Sequence, residues 1–107
     1  MKINYTERIK RDIRRLVKKY RSFDEDIEQV VLRLSANPTE GTSLGKNIYK
    51  IRFGISSKGA GKSGGGRLIT YIVYPDDTIY LLTVYDKAER ATVQLSELRQ
   101  ILADEGL

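Results

Sequence analysis

The sequence of 107 residues contains no cysteine and no histidine. Without cysteine the chain has no disulfide framework and no thiolate metal site, which suits a reducing compartment. Without histidine it lacks the commonest general base and the commonest metal ligand in proteins. It shows no signal peptide and no long apolar run, so we expect a soluble, cytoplasmic protein without a membrane segment.

Length and charge narrow the interpretation further. A chain of this size has room for one modest hydrophobic core, so we expect a single domain over residues 1–107. The net charge of +5 is unevenly placed: residues 1–38 hold ten Lys/Arg against six Asp/Glu, residues 39–75 hold six against one, and residues 76–107 hold three against seven. The positive charge in the first two thirds indicates a place where a polyanion or an acidic protein could bind.

Glycine and cations are concentrated in one stretch, SKGAGKSGGGR, here called the glycine loop (residues 57–67). Residues 59–64 fit G-x-G-x-x-G, but a β-branched run follows instead of the helix that a dinucleotide fingerprint needs. The Walker pattern fails because Ser56 stands where its first glycine belongs. The stretch therefore predicts a flexible cationic loop suited to phosphate, with an exposed hairpin tip as the alternative.

Apolar periodicity predicts an α+β fold that begins with an edge strand and a helical hairpin. Residues 2–5 alternate as an edge strand does, and Thr6 is a good N-cap for an amphipathic helix. Ser22 and Glu25 fit the capping box of a second helix, which ends at Asn37 before a proline. The short link between the helices predicts an antiparallel pair covering a sheet.

A three-stranded antiparallel meander and a short helix complete the predicted fold. After a turn-rich connector over residues 38–47, the strands are predicted over residues 48–55, 68–74 and 78–85, with the second one central because it is apolar on both faces. A last helix is predicted from Ser96 to Leu102.

Six cations lie on this predicted sheet or at its mouth, whereas the carboxylates form no comparable cluster. This distribution argues against glycosidase, aspartyl and two-metal nuclease chemistry, so we expect no metal and no cofactor. Cleavage of RNA through its own 2′-OH remains possible, because Arg can stabilise the phosphorane and a lysine packed among cations has a lowered pKa that suits a base. A non-catalytic binding surface fits the same residues equally well. The candidate catalytic residues are Lys50, Arg52, Lys58, Lys62, Arg67 and Lys87.

The first predicted helix carries a second group of cations on its polar side. Two interpretations are open: a solvated helix face, or a surface that contacts nucleic acid. The residues of this basic stripe are Arg11, Arg14, Arg15 and Lys18.

The order of elements, together with the run YKIRFGISSKGAGKSGGGRLITYIVYPDDTIYLLTVYDKAE, resembles the RelE/ParE superfamily of toxin–antitoxin toxins, most closely its HigB-like branch. In that branch a K-x-R strand, a G-K-S-G-G-x-R loop and a Y-x-K-x-E strand end recur together. Here these pieces are residues 50–52, 61–67 and 85–89. The chain differs from many relatives in having no tyrosine after Tyr85 and in having Ala60 where the branch often has another lysine.

The resemblance implies a type II toxin that enters the ribosomal A site and cuts mRNA there. It implies that Arg67 stabilises the phosphate, that the other five cations belong to the same site and that the basic stripe faces ribosomal RNA. It also implies a cognate antitoxin, expected to carry a helix-turn-helix DNA-binding domain. A ParE-like inhibitor of DNA gyrase and a non-catalytic regulator that binds nucleic acid or protein are the alternatives on the same fold.

Overall fold

The computed structural model of the chain describes residues 1–59 and 61–107, so the difference noted at Ala60 lies outside the described residues. The elements follow the predicted order with one added strand. Along the described chain no helix is long and apolar enough to cross a bilayer. In chain order the elements are β1 (Lys2–Tyr5), α1 (Glu7–Lys19), α2 (Phe23–Ala36), β2 (Thr42–Gly45), β3 (Ile48–Phe53), a 3-10 turn (Ser56–Lys58), β4 (Gly66–Val73), a second 3-10 turn (Tyr74–Asp76), β5 (Thr78–Asp86) and α3 (Leu95–Asp104).

The five strands of the described residues form one mixed sheet in the order β1-β5-β4-β3-β2. Strands β3, β4 and β5 make the predicted antiparallel meander with β4 at the centre. Strand β1 lies at an edge, as predicted, but it pairs in parallel with β5, Lys2 opposite Thr78 and Tyr5 opposite Leu81. The α+β prediction is confirmed, and the sheet is larger and mixed rather than purely antiparallel.

The connector over residues 38–47, predicted to contain turns alone, holds strand β2. A two-residue turn at Lys46 and Asn47 joins β2 to β3, and both residues have positive φ, 52° and 64°. This combination is the one that a type I′ hairpin turn requires. All four residues of β2 are exposed, so no alternation of apolar and polar side chains marked the strand in the sequence.

The helical hairpin covers one face of the sheet, as predicted. Ile9 and Leu16 of α1 and Phe23 and Leu34 of α2 are fully buried in the main core. The opposite face is covered in part by α3, whose Leu98 and other apolar residues form a second, smaller core.

Alternation along the strands decides which face each site residue occupies. Ile51 of β3 and Leu68 of β4 belong to the core under the helical hairpin. Because successive side chains of a strand point to opposite faces, Lys50, Arg52 and Arg67 lie on the face that carries α3. The body of the sheet therefore lies between these three cations and the helical hairpin, and the two sides meet at the β3 edge.

Two of the three predicted helix caps differ from expectation. Thr6 caps α1 as predicted, since its Oγ1 accepts from the N–H of Ile9. Ser22 precedes α2 but makes no capping hydrogen bond, because its hydroxyl is engaged by Asp26 and by the start of the glycine loop. Helix α3 begins at Leu95 after Gln94, so the predicted cap at Ser96 is wrong.

Thr6 also ties α1 to the sheet, which gives a test of the fold. The residue is fully buried, and its Oγ1 donates to the carbonyl of Leu81 at 2.7 Å. Thr6→Val keeps the shape but removes the cap and this hydrogen bond, so we expect the free energy of unfolding in urea to fall by about 1–2 kcal/mol. Thr6→Ser retains both bonds and is the control. Equal stability of Thr6→Val and wild type would contradict the assignment.

Candidate functional site

The start of the glycine loop is held to the first turn of α2. Asp26 accepts from the N–H of Ser56 at 2.9 Å and from its hydroxyl at 2.6 Å. Ser22 Oγ accepts from the N–H of Ser57 at 2.8 Å. Because these bonds fix the backbone where it leaves the sheet, the loop does not begin as an unattached hairpin tip.

The end of the loop lies against the sheet at a distance that only glycine allows. A Cβ on Gly65 would lie 2.1 Å from the carbonyl oxygen of Phe53, far inside van der Waals contact. In this position the carbonyl of Gly65 accepts from the N–H of Lys87 at 3.0 Å. The loop is thereby joined to the chain that follows β5.

A buried carboxylate holds the middle of the loop from the helical side. Asp86, at the end of β5, is fully buried and accepts from Lys58 Nζ at 2.8 Å, from the Tyr20 hydroxyl and from the N–H of Ala88. Lys58 Nζ also donates to the carbonyl of Gly64 at 2.8 Å. Lys58 thus joins the two arms of the glycine loop to the core through one ammonium group.

These contacts shift both ionisation equilibria toward the charged forms. Burial by itself would raise the pKa of the Asp86 carboxyl, but hydrogen bonds from Lys58, Tyr20 and Ala88 outweigh it, and the pKa is lowered. The hydrogen bond to Asp86 raises the pKa of the Lys58 ammonium against the opposing effect of burial. A lysine that acts as a general base near neutral pH needs a lowered pKa, and the pKa of Lys58 is raised. This environment therefore favours a structural role for Lys58, in which it holds the loop.

Arg67 and Arg52 are direct neighbours across β3 and β4, opposite each other in the register. Arg67 is 3% exposed, whereas Arg52 is exposed. The Arg67 guanidinium donates to the carbonyls of Lys62 and Gly66 at 2.9 Å and to that of Ser63 at 3.3 Å. Burial, together with repulsion from Arg52, lowers the Arg67 pKa. An anion placed between the two guanidinium groups would relieve that repulsion.

The six predicted catalytic cations divide into two groups by their partners. Lys58 has the ion pair with Asp86. Among the described residues the other five form no ion pair with a carboxylate. Three of these five line one groove of about 440 Å³ beside β3. They are Lys50, Arg52 and Lys62.

The basic stripe lies on the exposed side of α1, with all four members exposed. Arg15 pairs with Glu89 at 3.0 Å, which fastens the segment after β5 to α1. Since Tyr20, just after α1, reaches Asp86, the C-terminal end of α1 lies at the same end of the sheet as the glycine loop. The stripe therefore lies on the helical side of the sheet and approaches the glycine loop at the C-terminal end of α1.

Tyr85 is a site residue that the sequence reasoning did not select. It faces Arg67 in the β4–β5 register and is 3% exposed, and its hydroxyl has no hydrogen-bond partner among the described residues. Burial raises the pKa of this phenol, although Arg67 and Arg90 act in the opposite direction. Arg90 stacks over the ring with 5.4 Å from Cζ to the centroid. Tyr85 differs from an ordinary core tyrosine only in lying opposite Arg67 across β4 and β5. The spacing of residues in the sequence does not show which residues lie opposite each other in a sheet.

The carboxylates are dispersed over the described residues, and no three of them converge closely enough to hold a metal ion. Asp86 is tied to Lys58, and Glu97 of α3 pairs with Arg8 and Arg90. The chemistry within reach at this end of the sheet is therefore the binding and polarisation of an anion by guanidinium and ammonium groups.

A family described as the ParE toxin of type II toxin–antitoxin systems, parDE, matches residues 3–91. The chain therefore belongs to this family of toxins in the RelE/ParE superfamily, and its membership implies a cognate antitoxin as partner. The predicted superfamily is confirmed, and the assignment to the HigB-like branch stays a prediction.

A solved structure with the same fold is that of the E. coli toxin RelE, a double arginine-to-alanine mutant in the free state. It is 16% identical, with a TM-score of 0.63, and the alignment covers 99% of this chain and 97% of that chain. At this identity the similarity shows the fold, which agrees with the predicted α+β arrangement.

The buried Lys58–Asp86 pair gives a prediction with a defined pH dependence. Because the pKa of Asp86 is lowered in the folded state, its stabilisation is fully present above about pH 4, where the unfolded carboxyl is ionised, and is lost as the pH falls through the folded pKa. Asp86→Asn should reduce the free energy of unfolding by about 3 kcal/mol at pH 7, since it leaves Lys58 without its counter-charge.

The measurement is urea unfolding of wild type and Asp86→Asn between pH 7 and pH 3. The difference between the two proteins should shrink toward pH 3. Asp104→Asn, the same change at an exposed carboxylate of α3, should alter stability little at any pH. A constant difference for Asp86→Asn across this range would contradict the role of its charge.

Proposed function

We propose that the protein is a ribosome-dependent mRNA endoribonuclease whose activity inhibits translation. The observation that carries the proposal is the cross-strand pairing of Arg52 with the buried Arg67: the two charges repel each other, and neither has a carboxylate partner in the described part of the chain. A phosphodiester between them would remove their repulsion and gain charge-assisted contacts from Arg52 and from the Arg67 donors that the loop carbonyls leave free.

The proposed reaction is transfer of the phosphoryl group to the RNA's own 2′-oxygen. The 2′-OH loses its proton, the 2′-oxygen forms a bond to phosphorus, the bond to the 5′-oxygen breaks and that oxygen takes up a proton. The products are a 2′,3′-cyclic phosphate and a 5′-OH. Arg67 and Arg52 stabilise the charge that develops on the phosphorane, and no metal is needed for any of these steps.

The lysines take different roles in this proposal. Lys50, Lys62 and Lys87 have no ion pair among the described residues and are the candidates for proton transfer at the 2′- and 5′-oxygens. Lys58, held by Asp86, is a positioning residue that keeps the glycine loop folded over Arg67. Tyr85 is buried beside Arg67, so its proposed role is to support the position of that guanidinium rather than to contact the RNA.

The partners follow from the same surface. We propose that the basic stripe of α1 contacts ribosomal RNA, whose phosphates attract Arg and Lys whatever the sequence. The antitoxin is proposed to carry a helix-turn-helix domain and to cover the cationic site with acidic and apolar residues. The three sequence pieces at residues 50–52, 61–67 and 85–89 support the HigB-like branch. We also propose a single toxin domain over residues 1–107 and a cytoplasmic location, where ribosomes and mRNA are found.

Inhibition of DNA gyrase is the second candidate, because the matching family is described by the ParE toxin. That activity acts by protein binding and has no use for paired guanidinium groups around a phosphate, which favours RNA cleavage.

Arg52→Ala and Arg67→Ala test the proposal in a translation reaction, with mRNA ends mapped by primer extension. Each variant should reduce ribosome-dependent cleavage about 100-fold or more, because each removes a donor to the phosphorane. Arg52 is exposed and is the cleaner probe, since Arg67 also bonds the loop carbonyls. Arg99→Ala, an exposed cation of α3, is the matched control.

Two results would overturn the proposal. Undiminished cutting by both arginine variants would remove the paired guanidinium groups from the chemistry. Absence of cuts by folded wild-type protein, combined with inhibition of gyrase supercoiling that Arg52→Ala retains, would establish the gyrase alternative instead.

The role of the basic stripe has its own test in ribosome binding as a function of salt. Arg14→Ala should weaken binding at every salt concentration and lower the slope of log K against log salt by about one. The cleavage rate at saturating ribosomes should not change, because Arg14 lies outside the cluster at the glycine loop. A normal salt slope would show that Arg14 is only a solvated residue.

A further inference from the structure

The groove beside β3 has a second wall that the proposed catalytic site does not use. Its lining includes Arg33 from α2 and Glu40 from the connector, in addition to Lys50, Arg52 and Lys62. Four cations and one carboxylate give the lining a net charge of +3. Arg33 lies 24 residues before the glycine loop in the sequence, and nothing in its spacing linked it to the site.

Two backbone features form the groove. Strand β2 begins at Thr42, opposite Lys50, so the last residues of β3 have no β2 partner and the edge is open there. Gly41 brings the connector directly against β3: its φ is +101°, and a Cβ would lie 2.3 Å from the carbonyl oxygen of Lys50. The open edge thus becomes a walled channel that continues from Arg52 toward α2.

Within the groove, Glu40 is the ion-pair partner of Arg33. Arg33 Nε donates to the two carboxylate oxygens of Glu40 at 3.1 and 3.3 Å. The side chains are 44% and 26% exposed, so this pair is solvated and weak. An incoming anion can therefore replace Glu40 as the partner of Arg33 at small energetic cost.

We propose that this groove is a second phosphate subsite for single-stranded RNA, in which Arg33 binds a phosphodiester neighbouring the one at Arg67 and Glu40 competes with the RNA for Arg33. The inference rests on the proposed function and names its substrate path. RNA fits better than an acidic peptide, because among the described residues of the lining Ile51 is the only large apolar side chain and peptide docking needs apolar anchors. Because Glu40 competes for Arg33, the protein binds free RNA weakly. Tight binding of mRNA then requires the additional contacts that the protein makes with the ribosome.

The test is fluorescence anisotropy with a short single-stranded RNA that is fully 2′-O-methylated and so cannot be cleaved. Arg33→Ala should weaken binding about five- to tenfold, the loss of one charge-assisted phosphate contact, and reduce the salt slope by about one. Glu40→Gln should tighten binding several-fold by freeing Arg33. Arg99→Ala and Glu7→Gln make the same changes of charge outside the groove and should leave the affinity within about twofold, as expected for a charge that contacts no phosphate.

The outcomes separate this inference from the proposed function. If Arg67→Ala weakens binding while Arg33→Ala and Glu40→Gln behave as wild type, the second subsite is wrong and the proposed function stands. If both groove variants shift binding as expected but wild type cuts no mRNA during translation, the subsite stands and the nuclease proposal falls. Equal competition by an oligoglutamate of the same charge, or no binding of the RNA at low salt, would overturn the inference.

Discussion

The fully buried carboxylate of Asp86 is the interaction on which the site geometry depends. Removing a carboxylate from water is unfavourable unless donors surround it, and Asp86 has donors from three parts of the chain: the Tyr20 hydroxyl after α1, Lys58 in the glycine loop and the N–H of Ala88 after β5. Since Lys58 also donates to the carbonyl of Gly64, the ionised carboxylate of Asp86 holds the two arms of the loop together through one side chain. A group that touches no substrate in the proposed reaction thereby sets the position of groups that do.

Cations serve two purposes in this small domain, and their partners distinguish them. Lys58 and Arg8 are matched by buried or half-buried carboxylates and hold elements together. Arg67 has no carboxylate partner in the described chain, and carbonyl groups of the loop orient it instead. The dipoles of these carbonyl groups hold the guanidinium in place without cancelling its charge. The loop that carries the cations thus also orients the most buried of them, so charge and shape at the site are built together.

The sequence predicted what alternation and capping chemistry encode: the helical hairpin, the central strand β4, the edge strand β1 and the shared face of Lys50 and Arg52. It did not predict β2, whose residues are all exposed, or the real partners of Ser22, which depend on Asp26 and Ser57 meeting in space. The pairing of Lys58 with Asp86 was also out of reach, because a lysine in a glycine-rich stretch reads as a free cation until the residue opposite it is known. Roles set by a partner that is distant in sequence escape any local pattern.

The parallel pairing of β1 with β5 has a consequence for how the chain acquires its structure. Residues 2–5 find their partners at residues 78–81, and Thr6 is bonded to Leu81, so β1 can pair only after a segment synthesised more than seventy residues later has emerged. Contacts between such distant parts of a chain close slowly. The same strand carries Tyr85 and Asp86, so the glycine loop is synthesised before the carboxylate that holds Lys58.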